Sequence, residues 1–119
     1  MRDFHNLQVW VKAHQLVKAL YKATEGFPKS EMYVLTSQIR SAGVSIAANI
    51  AEGCGRNGSK EFRRFLEIAL GSASEAQYHL LLAHDLSLLK DTEYLRLEEQ
   101  IIEIKRMLTS LSQKLKADG

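Results

Sequence analysis

Two sets of polar side chains stand at helical spacing in an otherwise apolar stretch of chain, and they are the residues that could do chemistry. Gln38, Ser45, Asn49 and Glu52 fall on one flank of one helix, and Ser72, Glu75 and His79 on one flank of another. Brought together, these carboxylates and the imidazole could hold a metal or exchange protons. A carboxylate-bridged metal centre in a bundle asks for more: a Glu from each of two helices and an i, i+3 Glu-x-x-His pair on each of the others. Glu75 and His79 are instead four apart, and the first and last helical segments offer no inward carboxylate. We therefore read Gln38, Ser45, Asn49, Glu52, Ser72 and Glu75 as a structural hydrogen-bond network that sets helix register. No metal, cofactor or catalytic residue is expected, and the chain reads as a non-enzyme. His5, His14 and His84 have no ligand spacing, and no Ser/His/Asp, Cys/His or phosphate-loop pattern occurs. The single cysteine, Cys54, can form neither an internal disulfide nor a zinc knuckle and reads as a small loop residue in a reducing compartment.

The second kind of chemistry is anion binding. Arg56, Lys60, Arg63 and Arg64 cluster around the start of a helix, where the positive end of the dipole disfavours cations unless an anion is near. Phosphate would satisfy that arrangement. The simpler account is a solvated face with an Arg63–Glu67 pair. Lys12, Lys18, Lys22 and Arg40 add positive charge without forming a recognised nucleic-acid motif. Net charge is only +2, but it is unevenly placed. Residues 1–64 hold ten Lys/Arg against five Asp/Glu, and residues 65–119 hold six against nine, which gives +5 and −3. Such a division suits a nucleic-acid surface or the meeting of unlike faces between helices or subunits.

The elements that must carry these residues are helices. One Pro in 119 residues, 45% hydrophobic and 25% charged residues, and abundant Ala, Leu, Glu and Lys describe one globular helical domain over 1–119. Leu7, Trp10, Ala13, Val17, Leu20 and Thr24 recur at steps of three or four and predict a helix over Asn6 to Glu25, ended by "EGFP". Ser30 is a fair N-cap for a second helix, whose stripe of Met32, Leu35, Ile39, Ala42, Ile46 and Ile50 stops at Gly53. "GCGRNGS" is a turn, after which Ser59 caps a helix of about 28 residues, roughly 42 Å long. That helix buries Phe62, Phe65, Leu66, Ala69, Ala73, Ala76, Leu80 and Ala83. Asp91 or Thr92 opens the last helix, with Tyr94, Leu97, Ile101, Ile104, Leu108, Leu111 and Leu115 in a coiled-coil-type seam. Short connectors make consecutive helices antiparallel, so the expected fold is all-α, an up-down-up-down four-helix bundle.

The outward faces decide what surrounds that bundle. The third helix begins with Lys60, Arg63, Arg64 and Glu67 on its back, but further along the same sector becomes Gly71, Tyr78, Leu81, Leu82 and Leu89. The second helix carries Val34, Ser37, Ser41, Val44, Ala48 and Ala51 on its back, with no charge from Ser41 to Ala51. Water does not favour such faces, so a homo-oligomer is expected, with Val44, Ala48, Ala51, Tyr78, Leu81 and Leu82 in the interface. No run of about 18 apolar residues and no leader-like apolar segment occurs, so we expect no membrane association and a cytoplasmic location.

"SIAANIAEG" (Ser45 to Gly53), "FPKSEMYVLTSQIR" (Phe27 to Arg40) and "FLEIALGSASE" (Phe65 to Glu75) together resemble a bacterial four-helix bundle family. It includes the 23S rRNA intervening sequence proteins and is similar to the accessory variability determinant protein of diversity-generating retroelements. The resemblance covers nearly the whole chain. It implies a homopentameric bundle and, for the retroelement branch, a basic surface that binds nucleic acid, RNA or DNA, and a partner reverse transcriptase. It implies no enzyme. Two functions follow as expectations: an oligomeric accessory protein that binds nucleic acid or docks a partner, or an assembly module without a nucleic-acid role.

Overall fold

The structure, a computed structural model, describes residues 2–118. Four α-helices account for most of them: α1 (Gln8–Thr24), α2 (Ser37–Cys54), α3 (Ser59–Asp85) and α4 (Asp91–Asp118), with no strand among the described residues. Each helix packs against its neighbours in the chain, and α1 also packs against α4, closing the ring. At 1.5 Å per residue the 27 residues of α3 span about 40 Å, close to the 46 Å long axis of a body 22 by 20 Å across.

The stripes on α3 and α4 form the core as their spacing predicts. All eight expected α3 residues are buried, as are Leu97, Ile101, Ile104, Leu108 and Leu115 of α4, while Tyr94 and Leu111 flank the core half-buried. The stripe of α1 keeps Ala13, Leu20 and Thr24 as expected, but Val9 and Leu16 take the places expected of Trp10 and Val17. Val9, Ala13, Leu16, Leu20 and Thr24 are buried, whereas Leu7, Trp10 and Val17 lie at its margins. Trp10 is served by its own neighbourhood: it stacks on His14, with ring centroids 4.9 Å apart, and meets Phe4 edge-on. Phe4–Asn6 is a separate 3₁₀ turn, capped by the Asp3 carboxylate accepting from the His5 N–H, so the helix starts at Gln8 rather than Asn6.

The largest departure is at the start of α2. Ser30 caps nothing; it lies in a 3₁₀ turn (Lys29–Glu31) that runs into a π-helical segment, Met32–Thr36, before regular α-helix begins at Ser37. The i→i+5 bonding of a π turn fits more residues into each revolution, which takes Met32 off the core side while Leu35 and Thr36 stay inside. Tyr33 ends 92% exposed and Val34 57% exposed. Ser59 is likewise not the cap of α3. Gly58 is, at φ +82°, a left-handed conformation that suits glycine.

Candidate functional site

The two polar flanks meet in a smaller constellation than their spacing suggests. The Ser45 and Ser72 hydroxyls lie 2.8 Å apart across α2 and α3, and the Asn49 amide donates to both the Ser45 carbonyl (2.8 Å) and its hydroxyl (3.0 Å). These three residues are half-buried, so the network is real at Ser45, Asn49 and Ser72. It does not extend to the others. Gln38 and Glu75 are exposed, and Glu52, also exposed, turns to Arg56 at 3.2 Å. The reason is angular: Glu52 is three residues beyond Asn49 and the helix ends two residues later, leaving its side chain free to swing to the turn. His79 is half-buried, with Nδ1 inaccessible and unpartnered. No group of three or more His, Cys, Asp and Glu is placed to hold a metal among the described residues.

The basic cluster occupies the end of the bundle where the α2–α3 turn meets the N-terminal segment, and it is organised by two phenylalanines. Arg56 and Arg64 lie over the ring of Phe65, at 5.1 and 4.6 Å, and Arg2 lies over Phe62 at 4.6 Å, held there by its backbone N–H donating to the Cys54 carbonyl (3.1 Å). Arg2 escapes sequence reasoning because only the fold brings it to Phe62. The expected Arg63–Glu67 pair is replaced by Arg64–Glu61, where two guanidinium nitrogens donate to the carboxylate at 3.2 Å. That hydrogen bonding holds the Glu61 carboxyl below its ordinary range and raises Arg64. Glu61 in the first turn of α3 also offsets the dipole that the cations oppose. Lys60 is exposed and Arg63 half-buried, its Nε without a hydrogen-bond partner, and no carboxylate among the described residues pairs with either.

The remaining cations are scattered. Lys18 and Lys22 are exposed on α1, whereas Lys12 pairs with Glu103 at 3.5 Å. Arg40 works inside the subunit: its Nε donates to the Thr24 hydroxyl (2.9 Å), an Nη to the Tyr21 carbonyl (3.4 Å), and its guanidinium lies 4.6 Å over the Tyr21 ring. Beside it opens a groove of about 550 Å³ lined by Tyr21, Met32, Tyr33, Thr36, Arg40 and Val44. Cys54 is a buried residue in the last turn of α2 rather than a loop residue, and burial pushes its thiol up, away from the reactive thiolate.

The outer faces mostly follow their spacing. Val44, Ala48, Tyr78 and Leu81 are exposed and Ala51 is half-buried. Leu82 is half-buried against the core, and Leu89 is buried, because α3 ends at Asp85 and the wheel no longer applies beyond it. That α3–α4 turn holds Ser87 at φ +64° and a contact the spacing concealed: His84 Nε2 sits 2.6 Å from the Asp91 carboxylate, with its ring stacked on Tyr94. Tyr94 in turn donates to Glu98 at 2.6 Å, which pushes its phenol up to about 12.

Fold and surface together define a small all-α protein of four helices with a cationic end and two apolar flanks. Residues 5–110 match the 23S rRNA-intervening sequence protein family, and the chain belongs to it. It is similar to a crystal structure, at 1.70 Å resolution, of a protein of unknown function from the S23 ribosomal protein family of Bacteroides thetaiotaomicron. The two share 27% identity over 87% of this chain and 97% of the other, with a TM-score of 0.79. No curated protein matches the chain. No helix among the described residues is long and apolar enough to cross a membrane.

Proposed function

We propose that this chain is a non-enzymatic subunit of a cytoplasmic ring-shaped homo-oligomer, a pentamer as the resemblance implies, whose cationic ends contact the phosphates of RNA or DNA. Within the subunit the helices run up-down-up-down. Support for that topology comes from contacts whose residue numbers fall on one helix as they rise on the next: Gly53 against Phe62 and Phe65, then Ser45 against Ser72; Gly43 near Leu20, then Arg40 on Thr24; and Gln77 with Lys105, then His84 with Asp91. Support for the oligomer is the apolar exposure of Val34, Val44, Tyr78 and Leu81 on two adjacent helices.

The observation that carries the nucleic-acid reading is that Lys60 and Arg63, on the first turns of α3 at the same end of the bundle as Arg2, form no ion pair among the described residues, an arrangement a ring would repeat around its axis. Multivalency then turns weak single contacts into measurable binding. The same particle could dock a partner protein such as a reverse transcriptase through this end. Each phosphate contact releases roughly one counterion, so a plot of log affinity against log salt should flatten by about 0.7 to 0.9 for each cation removed. A gel-shift titration of wild type and a Lys60→Ala, Arg63→Ala double variant at two salt concentrations tests this, with a combined flattening as the expected result. Unchanged binding in the variant would move the contact to Lys18 and Lys22. A specific observation favours the second reading, an assembly module without nucleic acid: Arg56 and Arg64 are already paired with Glu52 and Glu61. Absence of wild-type binding at low salt would decide for it.

A further inference from the structure

Two outward seams remain after the core is accounted for, and they are unlike. On α2 and the π segment before it, Val34, Ser37, Ser41, Val44, Ala48 and Ala51 follow steps of three and four. On α3, Ile68, Gly71, Glu75 and Tyr78 do the same, and Leu82 continues the step from its half-buried place against the core. A stripe with that period is what one helix offers to another in coiled-coil packing. The α2 seam is made mainly of small residues and leads into the groove beside Arg40, whereas the α3 seam is mainly large and includes Tyr78, 59% exposed.

We infer that the groove at the start of α2 is a socket for α3 of a second copy of this chain, with Tyr78 filling it and Glu75 pairing with Arg40. The inference rests on the oligomeric reading above and specifies its interface. Three observations select this occupant. The first is charge: Arg40 is half-buried and paired with no carboxylate among the described residues, and Glu75, the only charged member of either seam, is exposed with no cation paired to it among them. The second is an unmet polar group, since Thr36 lines the groove and is 1% exposed, with its hydroxyl unpartnered.

The third is register. Rotation about an axis along the bundle keeps every residue at its own height, so a neighbour's α3 meets α2 at the levels already set inside the subunit. There Ser45 stands beside Ser72. Because the helices rise equally per residue, Glu75 comes level with Ala42, one residue from Ser41 and two from Arg40. Tyr78 comes level with Ile39, between Thr36 and Arg40, where the groove lies. Leu82 comes level with Leu35 and its exposed neighbour Val34. A two-fold pairing of α3 with α3 would instead set Glu75 and Tyr78 near their own copies, bringing like charges together. Unlike seams joined head to tail generate a ring when the rotation closes.

Charge exchange in the full chain, read by light scattering during size exclusion, tests the socket. Glu75→Arg alters an exposed site and should lower the particle mass toward the 13.4 kDa chain, and Tyr78→Ala should do the same. Arg40→Glu should also dissociate the particle, and combining it with Glu75→Arg should restore the wild-type mass. Because Arg40 also bonds Thr24 and Tyr21 within the subunit, a second measurement avoids dependence on that variant. In a Cys54→Ala background, Ser41→Cys and Glu75→Cys chains co-expressed and oxidised should give disulfide dimers only in the mixture. Self-dimers of either chain alone would mean an isologous interface and overturn the socket. An oligomer unchanged by Glu75→Arg and Tyr78→Ala would overturn it while leaving the assembly intact. A monomeric wild type would overturn the oligomeric reading itself.

Discussion

Helices α2 and α4 bury equally regular stripes and differ almost entirely on their backs. The outward side of α4 is dressed for water: Glu99, Glu103, Arg106 and Lys114 are exposed, Arg96 pairs with Glu93, and Leu95 is an isolated apolar exception. The outward side of α2 has no charge from Ser41 to Ala51, exposed Val44 and Ala48, and an irregular start that turns Tyr33 and Val34 outward. The inner stripe tells how a helix joins its own bundle, and the outer one tells what the bundle meets. A back that keeps its charges is matched to solvent, and one that loses them over three turns is, in the oligomeric reading proposed above, matched to protein.

The sharpest way to break this comparison is to place the same charge on both backs. If the oligomeric reading holds, Ala48→Glu should dissociate the particle, seen as a fall in mass by light scattering, with helical content unchanged by circular dichroism. Thr109→Glu, at an exposed position of α4, should leave the mass as it is. If the two variants behaved alike, the lack of charge on α2 would carry no information about assembly.

A smaller effect separates the inner face of α2 from its back. A Cβ on Gly53 would stand 2.8 Å from Phe62 Cδ1 and 2.9 Å from Phe65 Cβ, so the α2–α3 crossing is as close as it is because no side chain is there. Gly53→Ala must displace the Phe62 ring and the Phe65 Cβ, and with them the two side chains that also organise Arg2, Arg56 and Arg64. Overpacking of this kind costs about 1–3 kcal/mol, to be measured as a lower midpoint in denaturant. If the nucleic-acid reading holds, the same variant should weaken binding without removing any cation.

How much of this was legible beforehand follows from which forces are periodic. Burial repeats with the helix, so the eight core residues of α3 and the seam of α4 could be read directly, as could the exposure of Val44, Ala48 and Tyr78. On α1 the burial of Ala13, Leu20 and Thr24 was legible, but Val9 and Leu16 stand where Trp10 and Val17 are expected, since Trp10 is large enough to look like core while Phe4 and His14 cover it locally. The π segment has no signature in residue spacing, since one residue more per turn leaves the stripe after it intact. Contacts that depend on where a chain end or turn arrives were out of reach, among them Arg2 on Phe62 and His84 on Asp91. The polar network failed in part for a related reason: a helical wheel gives direction but not depth, and it cannot tell that Glu52 has an arginine nearer than any buried partner.

That distinction between direction and depth leads to the finest comparison, within the α2 flank itself. Ser45, Asn49 and Glu52 share a side of one helix, yet Ser45 and Asn49 are tied into a half-buried set with Ser72, and Glu52 is in water beside Arg56. Removing one hydroxyl from the first set leaves a partner unsatisfied where solvent reaches it poorly, so Ser72→Ala should cost about 1 kcal/mol. An exposed ion pair is worth little once screened, and Glu52→Ala should stay within about 0.5 kcal/mol. Denaturant unfolding of the two variants checks both values, and repeating it at high salt should leave the Ser72 effect in place because no charge is involved. The reverse order, with Glu52→Ala the more damaging, would mean that the carboxylate reaches a buried partner and that the wider network read from the spacing is the correct one.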